Sequence, residues 1–256
     1  MQPARWMHVS RWMVAASLAL TLDASHASQP VDRVILVRPS GAVVPANLLR
    51  LSIEFAAAVE GPVIRRLALS RADGDQIQQP FLDQELWSPS GKVLTILMHP
   101  GRVKSGLKAR DEKGPILSEG EDVVLTLDGN SIKHWRIGPS DAMGPVPSAW
   151  KISAVRVESK QRLVVTLDAP IEGREADYLA IVDSTDEQVE GRAQLTRGEQ
   201  IWTFTPKARW QWGPYALVAR GTLEDPAGNR LGSHFETSVD SPLGAPVDVV
   251  VPFEVR

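Results

Sequence analysis

Cysteine is absent from all 256 residues. That excludes disulfides, a cysteine nucleophile, a thiolate metal site and a lipid-anchored N-terminal cysteine, so stability must come from packing alone. Histidine is nearly as scarce. Of the five, only His99, His134 and His234 fall after residue 27, and none stands at the spacing of a zinc motif such as His-Glu-x-x-His. A Gly-x-Ser-x-Gly elbow and a glycine-rich phosphate loop are also missing. No catalytic residue is therefore expected and the chain reads as a non-enzyme. One enzyme class stays open, a glycoside-type carboxylate pair, because its members need no fixed spacing in sequence. No basic stripe or aromatic-interleaved basic patch occurs, which excludes nucleic acid as an expected partner.

Long apolar runs are lacking too. The run 12–22 stops at Asp23, well short of the roughly 20 residues that a membrane span requires. Arg5 and Arg11 precede it, and small residues ending Ala24-Ser25-His26-Ala27 follow it, which is the form of a cleavable secretory signal. Residues 1–27 are expected to be removed after Ala27. The product is then an exported protein, periplasmic or extracellular, with no membrane insertion after cleavage. It keeps 26 basic residues (28 less Arg5 and Arg11) and 30 acidic ones (31 less Asp23), a net charge of about −4.

Against these absences stands a repeat. Residues 51–61 return as 163–173 at a constant offset of 112 (163 − 51 and 173 − 61). Both copies place an apolar side chain at every second position and close on Glu-Gly, and period two marks a half-buried strand. The expected fold is all-β, with two tandem β-sandwich domains of about 100 residues each. Domain one is drawn at 28–138, a proline-rich linker at 139–150, domain two at 151–240 and a C-terminal edge strand or tail at 241–256. Strands are predicted at 33–37, 48–56, 63–69, 93–98, 121–128 and 132–137, and again at 152–157, 163–167, 177–182, 199–206, 215–219 and 234–237. The run 93–98 is almost wholly apolar, as a central strand should be. Asp73-Gly74 predicts a tight turn. Pro252 confines the last strand to an edge, and folding back is favoured over pairing with a partner because exposed apolar edges invite aggregation.

Three segments of the second repeat carry a resemblance. Trp202-Thr203-Phe204-Thr205-Pro206, then Trp210 with Gly213 and Tyr215, then Leu223-Glu224-Asp225 with Ala227-Gly228-Asn229-Arg230 resemble the bacterial immunoglobulin-like domain of the SbsA type, first recognised in S-layer proteins. The first repeat resembles it more loosely, through Leu49-Arg50-Leu51, Glu85-Leu86-Trp87 and His99-Pro100-Gly101-Arg102. It departs by a long loop, 101–120, and by lacking the Ala-Gly-Asn turn. The resemblance implies immunoglobulin-like sandwiches acting as spacers, adhesive parts or accessory units, with a protein or glycan of the cell envelope as partner. It also implies core positions for Trp202 and Trp210.

Candidate binding residues lie where the chain leaves that pattern. Trp212 is not required by it, and Lys104, Lys108 and Arg110 sit on the polar loop 101–120, the kind of long loop on which binding functions collect. They motivate the alternative reading, a carbohydrate-binding or carbohydrate-acting envelope protein. Glu224, Asp225 and Asn229 offer oxygens in one loop to a weak calcium ion, at affinities of about 10⁻⁴–10⁻³ M. An Asx-type turn with Gly228 at positive φ is the favoured account of the same residues. No other cofactor is expected. The repeated strand itself reads as scaffold, so individual function is expected in the first domain's added loop.

Overall fold

The alternating segments form strands in a computed structural model that describes residues 32–104, 107–231 and 246–256. The leader 1–27 and the strand expected at 234–237 lie outside the described residues. The first half contains β1 (Val34–Arg38), β2 (Val43–Pro45), β3 (Arg50–Phe55), β4 (Leu67–Arg71), β5 (Phe81–Trp87), β6 (Val93–Met98), helices α1 (Pro100–Val103) and α2 (Lys108–Lys113), then β7 (Asp122–Leu127) and β8 (Asn130–Gly138). The second contains β9 (Lys151–Ile152), β10 (Leu163–Thr166), β11 (Leu179–Val182), β12 (Gly191–Thr196), β13 (Ile201–Pro206), β14 (Gly213–Ala219) and β15 (Val249–Val255).

These strands make four sheets. The orders are β1-β3-β6-β5 and β2-β8-β7-β4 in the first half, and β12-β13-β10-β9 and β11-β14-β15 in the second. Each pair of sheets encloses one apolar cluster. Leu51, Ile53 and Phe55 of β3 and Leu94, Ile96 and Met98 of β6 meet Leu69, Leu125 and Trp135 across the first. Leu163 and Val165 of β10 and Trp202 and Phe204 of β13 meet Ile181, Leu217 and Val255 across the second. As expected, β6 is a central strand, and β15 folds back onto β14 as an edge strand, with Pro252 opposite Ala216. The segment drawn as a tail thus supplies a strand of the second half's own sheet.

The repeat runs beyond the two copies seen in sequence. One-turn 3-10 helices precede β4 at Ile64–Arg66 and β11 at Ala176–Tyr178. Each of those strands is then closed by a matching bridge, Ser70 to Gln76 and Val182 to Gln188. The 3-10 turn corrects the strand expected at 63–69, which begins only at Leu67. Asp73-Gly74 does form the turn, with Gly74 at φ +97°.

The largest departure is the connection after β6. Read from composition as irregular and polar, it folds into α1 and α2 because its few apolar residues have a place to go. Val103, Ile116 and Leu117 are buried in the first core. Arg102 is 5% exposed and donates to the carbonyls of Gln78, Gln79, Gly114 and Pro115, fastening the insert to the β4–β5 loop. The linker is equally tied down. Asp141 exchanges two 2.8 Å hydrogen bonds with Asn47, and Trp150 donates to Asp168 while its ring joins the second core.

Candidate functional site

Period two sorts the side chains of β3 by face. Leu51, Ile53 and Phe55 point into the core, so Arg50, Ser52 and Glu54 point away from it, alongside Arg38 of β1 and Thr95 of β6. The outer face of an antiparallel sheet is ordinarily wet. Here Ser52 is only 2% and Thr95 only 5% exposed, because loops of the second half lie across them.

Three loops make that seam. The hairpin between β12 and β13 turns through Arg197, Gly198 and Glu199, all at positive φ. This aims the Glu199 carboxylate at the first half, where it accepts from Arg38 at 3.0 Å and from the Ser40 amide at 2.8 Å. The loop after β10 carries Glu172-Gly173, the end of the second repeat copy, and Arg174. Gly173 lies against the Arg38 stem so closely that a Cβ there would stand 2.3 Å from Arg38 Cδ, and Arg174 donates to the Thr95 hydroxyl. The loop after β14 carries Glu224, whose two oxygens accept from Arg50 of the first half and Arg230 of its own. The Leu49 amide bonds the Pro226 carbonyl at 2.9 Å, and Asn229 reaches the linker carbonyl of Asp141 at 3.1 Å.

The seam gathers buried carboxyls. Glu175 accepts from the Glu224 amide at 2.7 Å, and burial, together with the neighbouring Glu172 and Glu224 charges, pushes its carboxyl up to about 7, with Arg50 opposing. Burial also raises Glu172, opposed by the Arg174 amide that bonds it and by the Arg50, Arg174 and Arg38 charges. Asp225 is pushed by burial up to about 6 against two bonds from Asn229, with Asp141 adding to the rise. Chemically, this arrangement binds one half to the other and holds protons near neutrality.

None of Glu172, Glu175, Glu199, Arg38, Arg50 or Arg174 was singled out from sequence. The available signal was the Glu-Gly that closes each repeat copy. It leads to opposite fates, since Glu60 is exposed and Glu172 is 6% exposed, and only the docking of one half on the other separates them.

The residues that were singled out are distributed elsewhere. Trp212 stands 78% exposed before β14, while Trp202 and Trp210 are buried. Lys108 forms an exposed 3.6 Å pair with Glu112. Arg110 turns inward and donates to the carbonyls of Arg102 and Val103, and Lys104 follows α1. The three cations therefore share the insert of the first half, whereas Trp212 belongs to the second. Glu224, Asp225 and Asn229 do share one loop, but Glu224 is engaged by two arginines and Asp225 closes an Asx-type turn on Asn229, with Gly228 at φ +84°. Among the described residues no group of three or more His, Cys, Asp or Glu is placed to hold a metal ion.

No protein-family model and no curated protein matches the chain. Among solved structures it is similar to an L,D-transpeptidase from Mycobacterium smegmatis, at 14% identity and TM-score 0.29 over 86% of this chain and 72% of that one. It is similar to domains 5–6 of the S-layer protein SbsC, at 12% and 0.26 over 88% and 98%, and to the Group B Streptococcus pullulanase SAP, at 10% and 0.24 over 75% and 22%. The chain spans 62% of another L,D-transpeptidase, solved with imipenem. Likeness at this level carries no argument about activity. No helix among the described residues is long and apolar enough to cross a membrane.

The raised carboxyls predict how stability follows pH. A carboxyl whose folded value of about 7 lies above its ordinary 4.5 keeps its proton in the folded chain after the unfolded chain has lost it. The contribution of Glu175 to stability is therefore greatest at the acid end and falls as pH rises through that window, by about 3 kcal/mol at 1.36 kcal/mol per unit. Chemical denaturation of wild type and Glu175→Gln should agree near pH 4.5 and diverge with rising pH, the variant being the more stable at pH 8.

Proposed function

We propose that the chain is a non-catalytic exported module of immunoglobulin-like type, with a structural, adhesive or accessory binding role in the bacterial cell envelope or extracellular space. Strand order supports the immunoglobulin-like reading. Lettered A to G along the chain, with the short β2 of the first half set aside as an extra strand beside G, each half has an A-B-E-D sheet facing one that holds G, F and C, the order of the seven-strand immunoglobulin plan. The SbsA-type motifs and the leader-like N-terminus supply the rest of the proposal.

The observation that carries the structural role is the seam. Two halves joined by a free linker would swing, and inter-domain motion is the default where few contacts cross. Here Arg38, Arg50, Thr95 and Leu49 are each bonded across to the second half, and the linker is bonded to both sides. Such a unit transmits position, as a spacer or accessory part must. The lack of native cysteine allows a clean test. Spin labels at Lys92→Cys and Lys207→Cys, both exposed positions, should give one narrow distance distribution by pulsed electron resonance. The distribution should broaden in an Arg38→Ala, Arg50→Ala double variant, and a broad distribution in the wild-type background contradicts the proposal.

Trp212 favours the second reading, a carbohydrate-binding or carbohydrate-acting protein, because a large exposed ring is a stacking surface for sugars. A glycan array should then show binding that Trp212→Ala abolishes. Silence on the array removes this reading and leaves the first intact.

A further inference from the structure

The two halves border a small half-open cavity at one end of the seam, about 230 Å³ in volume, lined by Arg38, Ser52, Glu54 and Ser88 of the first half and by Gly173 and Arg174 of the second. It has room for about seven or eight water-sized groups at ~30 Å³ each. Its polar groups are unevenly satisfied. Arg38 is paired with Glu199, and the Ser88 hydroxyl is bonded to Ser90 and the Val93 amide. Ser52 is 2% exposed, and its hydroxyl, which makes no hydrogen bond among the described residues, keeps some contact with solvent at the cavity. The Glu54 carboxylate has neither hydrogen bond nor ion pair among the described residues, and the Arg174 guanidinium is bonded only to the neutral Thr95 hydroxyl.

One cavity thus presents a carboxylate and a guanidinium that form no ion pair among the described residues, and a hydroxyl that bonds no protein group there. The two charges face the same space without forming an ion pair with each other. What satisfies both at once is a small zwitterion, whose carboxylate meets Arg174 and whose ammonium meets Glu54, with Ser52 bonding either group. Sites between packed units are also where small-molecule pockets collect. We propose that this seam cavity is a binding site for a free α-amino acid. It exists only while the halves are docked, so the ligand stabilises the seam by mass action.

The test uses the purified full chain, with each common α-amino acid in turn as probe and with acetate and methylammonium as half-ligands. Thermal unfolding should rise saturably with at least one amino acid, at a Kd of about 1 mM or tighter, and neither half-ligand should reproduce the rise. Arg174→Ala and Glu54→Gln should each weaken binding by roughly tenfold or more, as loss of a charged hydrogen bond does. Ser52→Ala should weaken it less; because Arg174→Ala also removes the bond to Thr95 across the seam, each rise is read against the variant's own unliganded melting temperature. No saturable rise with any amino acid overturns the proposal. So does an equal rise with acetate alone, or binding that survives both charge-removing variants.

Discussion

The arrangement of this protein depends on one constraint: charged groups on the outer face of a sheet have been taken out of water. Arg50 is 23% exposed and its partner Glu224 13%; Glu199, bonded to Arg38, is 1% exposed. Removing such charges from water is expensive, and their attraction returns the cost only when every remaining lone pair and proton is also bonded. The seam largely meets that condition. Glu199 uses both oxygens, Glu224 uses both, and Glu175 and Asp225 each accept a backbone amide. Arg50 Nε is a buried exception, left unbonded. A face built this way is stable covered and costly to half-uncover, which sets the relation of the two halves.

The internal repeat shows how the seam arose from a shared plan. The two copies match through the core strands, the 3-10 turns and the closing bridges, then diverge at two places. In the first half the connection after β6 has grown into the α1–α2 insert, held by Arg102 and Arg110 through backbone carbonyls. In the second the Glu-Gly end of the repeat copy, the β12–β13 hairpin and the loop after β14 have become the docking elements. Individual character therefore lies in the second half's loops as well as in the insert where it was first sought.

What could be read from the sequence followed from local periodicity. Alternation at 51–55 and 163–167, the apolar run 93–98 and the edge-confining Pro252 each specify a strand and its place with no knowledge of distant residues. The Asx-type turn at Asp225 was legible for the same reason. The seam was not. Arg50, Ser52 and Glu54 make an ordinary outward polar row, and nothing within several residues of them says that this row is covered. The inward turn of Arg110, a candidate binding residue of the polar loop, was not legible either, because its carbonyl partners depend on a helical turn that composition did not announce. Trp212 stayed exposed while Trp210, two residues earlier, went into the core, the difference that strand and corner geometry imposes on neighbours of equal hydrophobicity.

If the covered charged face joins the halves into one cooperative body, they must unfold together. Calorimetry on the purified chain decides this by comparing the measured unfolding enthalpy with the van't Hoff value from the shape of the same transition. A single transition with equal enthalpies, splitting in two when Arg38 and Arg50 are both replaced by alanine, is the predicted result. Two independent transitions in the unmodified protein would contradict it.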